Sequence, residues 1–257
     1  RTNNVRASSV VRVDPTPAPN LVATAQAGPS SAVFGEQVTV TWSVRNAGNR
    51  SANGSWRDQL VLSRDRTLSG DDVPLGSLLV EGVSPFLPEQ APYTRSATYQ
   101  VPLTGTSVAG EYFLVVRTDV NAAVAESDEA DNDAAWGPIT VTRPPLPNLV
   151  ATVSGTPVDV TAGGMAVVEY TVFNLGAAEQ PGGTPWTLTL FEAADNLPGS
   201  RREAALNVSI AVPISAGGSV TGTVEVPVAE FRSANVHFSA CADTTNRIIE
   251  SDETDNC

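Results

Sequence analysis

The residues best equipped for chemistry are acidic, and they come in two sets. Asp119, Glu126, Asp128, Glu129, Asp131 and Asn132 lie in DVNAAVAESDEADN; Asp243, Glu250, Asp252, Glu253, Asp255 and Asn256 lie in DTTNRIIESDETDN. Calcium takes roughly six to eight oxygen ligands, and carboxylates gathered without a cation repel one another. Asp119, Glu126, Asp128 and Asp131, with Asp243, Glu250, Asp252 and Asp255, are therefore the candidate calcium ligands. The spacing is not that of an EF-hand loop, which needs Gly at its sixth position. The competing and simpler reading is a solvated acidic turn whose Asp and Asn side chains bond their own backbone. Asp65, Asp71 and Asp72 form a weaker group. No other cofactor is called for.

Cys241 and Cys257 flank the second acidic segment. They fit a structural bridge in an oxidising compartment, with free thiols as the alternative. The corresponding residues around the first segment are Arg117 and Asp133, a potential ion pair. His237 is the only histidine, and C-x-x-C spacing is absent, so zinc has little to bind. A Ser–His–Asp triad would have to use His237, but no G-x-S-x-G elbow accompanies it; a rim histidine on a strand is the better reading. All 15 basic residues are Arg, which removes Lys Schiff-base chemistry and Walker-type phosphate loops. The net charge of −13 argues against nucleic acid and against anionic membrane surfaces. No apolar run is long enough for membrane insertion. These residues predict a protein that is not an enzyme.

The elements that must hold the acidic segments also repeat. PNLVAT occurs at Pro19–Thr24 and at Pro147–Thr152. VTVTWSVRNAG (Val38–Gly48) faces AVVEYTVFNLG (Ala166–Gly176), so Trp42 matches Tyr170, Asn46 matches Asn174 and Gly48 matches Gly176. WRDQLVLSRD (Trp56–Asp65) faces WTLTLFEAAD (Trp186–Asp195). Four blocks in the same order make two homologous modules. Val38, Val40, Trp42 and Val44 alternate with polar residues, the period of a half-buried strand. About seven short strands in some 125 residues, with no helical periodicity, predict an all-β fold of two tandem immunoglobulin-like antiparallel β-sandwiches. Trp42 and Tyr170 are expected in the core. DPTPAP and TRPPLP act as semi-rigid spacers, predicting a rod.

PNLV after a Pro-rich spacer, the V-x-V-x-W-x-V-x-N-x-G strand and the terminal D…E-x-D-E-x-D-N segment resemble the CARDB domain, the "cell adhesion related" module of bacteria and archaea. The resemblance spans both modules; the second departs from it at Tyr170 and over Gly199–Pro213. It implies an immunoglobulin-like fold found in tandem in secreted and surface proteins, and a non-catalytic structural or adhesive role. It names no ligand.

Counting back from each PNLVAT places Asn4 on Asn132, Val11 on Ile139 and Val13 on Val141. The division expected is 1–13 as the last strand of a preceding module or a donor strand, 14–18 linker, 19–142 sandwich, 143–146 linker and 147–257 a sandwich without its last strand. Three arrangements follow: a segment of a longer covalent array; a fibre subunit whose Val5, Val10, Val11 and Val13 complete the next copy beside Ser233–Cys241; or a fold-back, which the stiff spacer disfavours. Partners are then other copies or further modules of the same chain, with a cell-surface or extracellular glycan or protein as adhesion target. The runner-up function is a calcium-dependent carbohydrate- or ligand-binding module of a secreted protein, which would need an exposed platform from Trp56, Trp136 or Trp186.

Overall fold

The computed structural model describes residues 9–14, 16–155, 159–180, 182–193, 203–228 and 235–257. Every regular element among them is a strand. The chain divides into two compact units, Arg1–Pro102 with Val108–Thr142, and Leu103–Ser107 with Arg143–Cys257.

The first module contains β1 (Leu21–Ala27), β2 (Ser31–Val33), β3 (Gln37–Asn46), β4 (Trp56–Ser63), β5 (Val73–Val80), β6 (Tyr93–Gln100), β7 (Gly110–Arg117) and β8 (Asp133–Thr142). One sheet runs β1-β3-β6 and the other β2-β8-β7-β4-β5. All pairs are antiparallel except β2 beside β8. The period-2 pattern sets which face is inside: Val38, Val40, Trp42 and Val44 of β3 are buried, as are Tyr112, Leu114 and Val116 of β7. The count is eight strands rather than seven because β2, three residues long, adds to the β8 edge.

The second module contains β9 (Leu149–Ser154), β10 (Met165–Asn174), β11 (Trp186–Ala193), β12 (Glu203–Ile210), β13 (Ser219–Pro227) and β14 (His237–Cys241). Its sheets are β13-β10-β9 and β12-β11-β14. β14 occupies the place of β7, and among the described residues no strand lies on its outer side.

The cores differ in one respect. In the first module Asp58, 1% exposed, accepts hydrogen bonds from Trp42 Nε1 (2.7 Å), Thr118 Oγ1 (2.7 Å) and Tyr93 Oη (3.1 Å). The second module places Tyr170, Leu188, Ala242 and Val220 at these positions. A buried carboxyl with its donors and an apolar set are two solutions to the same volume; a half-converted set would leave polar groups unpaired.

Candidate functional site

In each module the acidic segment closes against the start of the first strand. Pro19 and Asn20 enter β1 past the end of β3, and Asn46 fixes them there. Its Oδ1 accepts from Asn20 N and Gly48 N (3.0 Å each), and its Nδ2 donates to Arg50 O and Phe86 O (2.8 Å each). A side chain at Gly48 would run into the backbone of Ala18, Pro19 and Asn20, so only glycine fits.

Glu126, six residues before Asn132, then locks the strand. One carboxylate oxygen accepts from Leu21 N and the other from Asn132 Nδ2 (3.1 Å). Asn20 Nδ2 donates to Asp131 Oδ2 (3.0 Å), and Ser127 N donates to Pro19 O (2.9 Å). Asp119 begins the segment at φ 46°, a conformation that Asp tolerates; its carboxylate accepts from Ala123 N (2.9 Å) and Val124 N (2.8 Å). Asp128 accepts from Ala130 N, and Glu129 from Glu126 N.

The second module builds the same latch from equivalent residues. Asn174 Oδ1 accepts from Asn148 N and Gly176 N, 3.0 Å each. Glu250 holds Leu149 N and Asn256 Nδ2 (2.9 Å), and Asp255 accepts from Asn148 Nδ2 (3.0 Å). Asp243, at φ 41°, accepts from Ile248 N (2.6 Å). Asp252 accepts from Thr254 N and Oγ1, and Glu253 from Glu250 N.

Burial pushes Glu126 up to about 7, against the pull of its bond to Leu21 N; the charges of Glu129 and Asp119 add to the rise. Burial likewise takes Glu250 to about 7, with Glu253 and Asp243 repelling it. Asp119 is raised by burial despite its two backbone bonds. Asp252, held by Thr254, is lowered. Among the described residues, no three of His, Cys, Asp and Glu converge as a metal-holding group. The eight candidate calcium ligands lie within the two latches, with each carboxylate accepting bonds from the protein's own donors.

Cys241 and Cys257 are joined by a disulfide. In the first module, Arg117 meets Asp133 through two 2.6 Å bonds at the equivalent register position. Asp65 is exposed, bonded to Thr67, and lowered by those bonds; Asp71 and Asp72 hold Ser69. His237 is exposed. Trp42, Trp56 and Trp186 are all buried, and Trp136 is half-buried with its Nε1 donating to Pro29 O (3.0 Å). Of the proposed donor residues, Val10, Val11 and Val13 are exposed and outside any strand; Val5, and Ser233 at the proposed acceptor, lie outside the described residues. The latch partners Asn20, Asn46 and Gly48, with Asn148, Asn174 and Gly176, carry no chemistry of their own to draw the eye. Their signal in the sequence is that they recur together with the acidic segments.

Two sheets in this order, with β7 between β4 and β8, define an immunoglobulin-like sandwich, and the second module keeps its central strands. The CARDB family profile matches residues 18–135 and 146–257. The chain belongs to the CARDB family, an adhesion-related and non-enzymatic family of bacterial domains. Among solved structures it is similar to the CARDB domain of the PF1109 protein from Pyrococcus furiosus, described in complex with di-metal ions: 14% identity over 51% of this chain and 100% of that one, TM-score 0.36. It is also similar to a β-glucosidase from Listeria innocua in complex with isofagomine, at 12% identity over 48% of this chain and 16% of that one, TM-score 0.31. Red sea bream transglutaminase matches at 13% identity over 90% of this chain and 30% of that one, TM-score 0.24. No curated protein matches. No helix among the described residues is long and apolar enough to cross a membrane.

Proposed function

We propose that this chain is a non-catalytic structural and adhesive segment of a secreted or cell-surface protein, a repeating unit in an array of immunoglobulin-like modules. The array extends covalently or by head-to-tail strand complementation. The observation that carries this reading is that the features repeated most faithfully are used up in holding the fold. Glu126 and Glu250, Asp119 and Asp243, and Asn46 and Asn174 all bond backbone or latch partners, which suits a spacer that must keep its first strand in place. An adhesive surface then lies in the module exteriors.

The test is adhesion of beads coated with the 257-residue chain to bacterial cells and extracellular-matrix proteins, beside turnover assays on glycosides, esters and peptides. Adhesion above uncoated beads without turnover is expected. Turnover abolished by a point substitution, with no adhesion, would overturn the reading.

Calcium has one observation in its favour. Asp131 Oδ1 and Asn132 Oδ1, and their counterparts Asp255 Oδ1 and Asn256 Oδ1, are buried oxygens without a hydrogen-bonding partner. All are hard ligands that suit calcium. Calcium should then raise the Tm of chelator-treated protein; an unchanged Tm at millimolar calcium would remove the idea.

A further inference from the structure

We propose that Asn53 is a self-modifying position: Gly54 N attacks the Asn53 carboxamide, and the isoaspartate that follows unpins the first module's Ala52–Phe86 pair.

Asn53 is the only asparagine in the 257 residues that a glycine follows, and Asp-Gly does not occur. A side chain on the following residue shields the backbone nitrogen that must close on the asparagine Cγ; glycine leaves it open. The attack needs no partner, because the chain itself holds the two atoms one ring closure apart. Both residues are exposed. Gly54 sits at φ 100°, where an added Cβ would meet nothing within 4 Å. Two bonds hold the pair in its unreacted geometry. Asn53 Nδ2 donates to Ser51 O (3.2 Å), and Gly54 N donates to Ser84 Oγ (3.0 Å). Both lie at the surface, where water competes for them, so they delay the closure without preventing it.

The chemistry balances without an added reagent other than water. Gly54 N gives up its proton and bonds to Asn53 Cγ. The Cγ–Nδ2 bond breaks, and Nδ2 leaves with that proton as ammonia. Water then adds across one of the two C–N bonds of the succinimide. Opening at Cγ yields aspartate. Opening at the Asn53 carbonyl carbon yields isoaspartate, with the chain running through Cβ and Cγ.

Isoaspartate lengthens the backbone by one methylene where both sides are anchored. On one side Ala52 and Phe86, each 0% exposed, exchange two backbone bonds of 3.0 and 2.9 Å. On the other, Ser84 holds Gly54. Phe86 O also accepts from Asn46 Nδ2, so slack in this pair reaches the residue that fixes the entry to β1. The second module keeps the pair as Gln180 and Ile214, bonded at 2.9 and 3.1 Å. Its sequence has Pro181 and Gly182 in place of Asn53 and Gly54, which makes it a built-in control.

Incubating the 257-residue chain in warm, mildly alkaline buffer tests this, with samples digested and weighed over two weeks. The peptide carrying Asn53 should change mass by the exchange of ammonia for water, and an isoaspartyl methyltransferase should label it. No other asparagine peptide should convert as fast. Ser84→Ala frees Gly54 N and should speed the conversion roughly two- to ten-fold, the span that losing one neutral hydrogen bond covers. Asn53→Gln, at an exposed position, keeps the fold and should not convert. Amide exchange at Ala52 and Phe86 should become roughly ten-fold faster in the isoaspartyl chain, with Gln180 and Ile214 unchanged and the incubated Asn53→Gln variant unaffected throughout. An Asn53 that keeps its amide, a Ser84→Ala variant that converts no faster than the parent, or an isoaspartyl chain whose Ala52 and Phe86 amides stay as protected as before would each overturn the proposal.

Discussion

Glu126→Gln isolates what the latch carboxylate contributes. In the folded chain burial pushes Glu126 up to about 7 from the usual 4.5 of a glutamate. A folded pKa above the unfolded one means the native state holds the proton more tightly. The associated stability is fully present below about pH 4.5 and is lost as pH rises through about 7. The gap corresponds to an upper bound of about 3 kcal/mol, and partial solvent access to the latch brings the expectation to about 1–3 kcal/mol. Glutamine cannot ionise. Its oxygen can still accept from Leu21 N, and its amide can reach Asn132 Oδ1, which is unpaired in the parent, once the Asn132 amide turns over. The variant should therefore match the parent near pH 5 and exceed it at pH 8. Urea unfolding followed by tryptophan fluorescence at several pH values measures this, because Trp42 and Trp56 report the first module. Glu126→Ala is the contrast. It leaves Leu21 N–H and Asn132 Nδ2 without their acceptor and should cost about 1–3 kcal/mol for each buried donor at pH 5. Parallel pH profiles for parent and Glu126→Gln, or a parent that gains stability between pH 5 and 8 relative to the variant, would refute the reasoning.

Other perturbations follow from the same geometry. Reducing the Cys241–Cys257 bridge, which closes a 16-residue separation, should destabilise the second module by about 3 kcal/mol in the chain-entropy model, leaving the first module's unfolding transition in place; calorimetry with and without reductant checks it. Asp58→Leu puts the second module's residue among the first module's donors, so Trp42 Nε1 and Thr118 Oγ1 lose their acceptor; chemical denaturation should show a loss of about 3 kcal/mol or more, and Asp58→Asn a smaller one. Ala122 sits at φ 49°, where the second module has Asn246 at φ 48°; Ala122→Asn should raise first-module stability by up to about 1 kcal/mol, since Asn tolerates the left-handed region better, and an unchanged or lower Tm would contradict that.

The strands could be read from the sequence because burial on one face leaves a period of two, as in Val38, Val40, Trp42 and Val44. The exchange of Arg117 and Asp133 for Cys241 and Cys257 was legible because the repeat aligns positions that share a register. The latch was harder to see. Glu126 and Leu21 are 105 residues apart, and a run of carboxylates announces cations more loudly than it announces backbone N–H groups. Asn46 and Gly48 act through two segments meeting at one point, which spacing along the chain does not encode. β2 was missed because three residues carry too little periodicity to register. Asp58, polar in a strand that reads as apolar, made sense only once Trp42, Tyr93 and Thr118 stood around it.

The claim that the acidic segments are self-sufficient latches is tested most directly by amide hydrogen exchange at Leu21, Val124, Leu149 and Ile248 in chelator-treated protein at neutral pH. The account predicts slow exchange at all four, with Leu21 accelerated in Glu126→Ala and Leu149 in Glu250→Ala. Free exchange at these amides in chelator, with protection appearing only on addition of calcium, would contradict it.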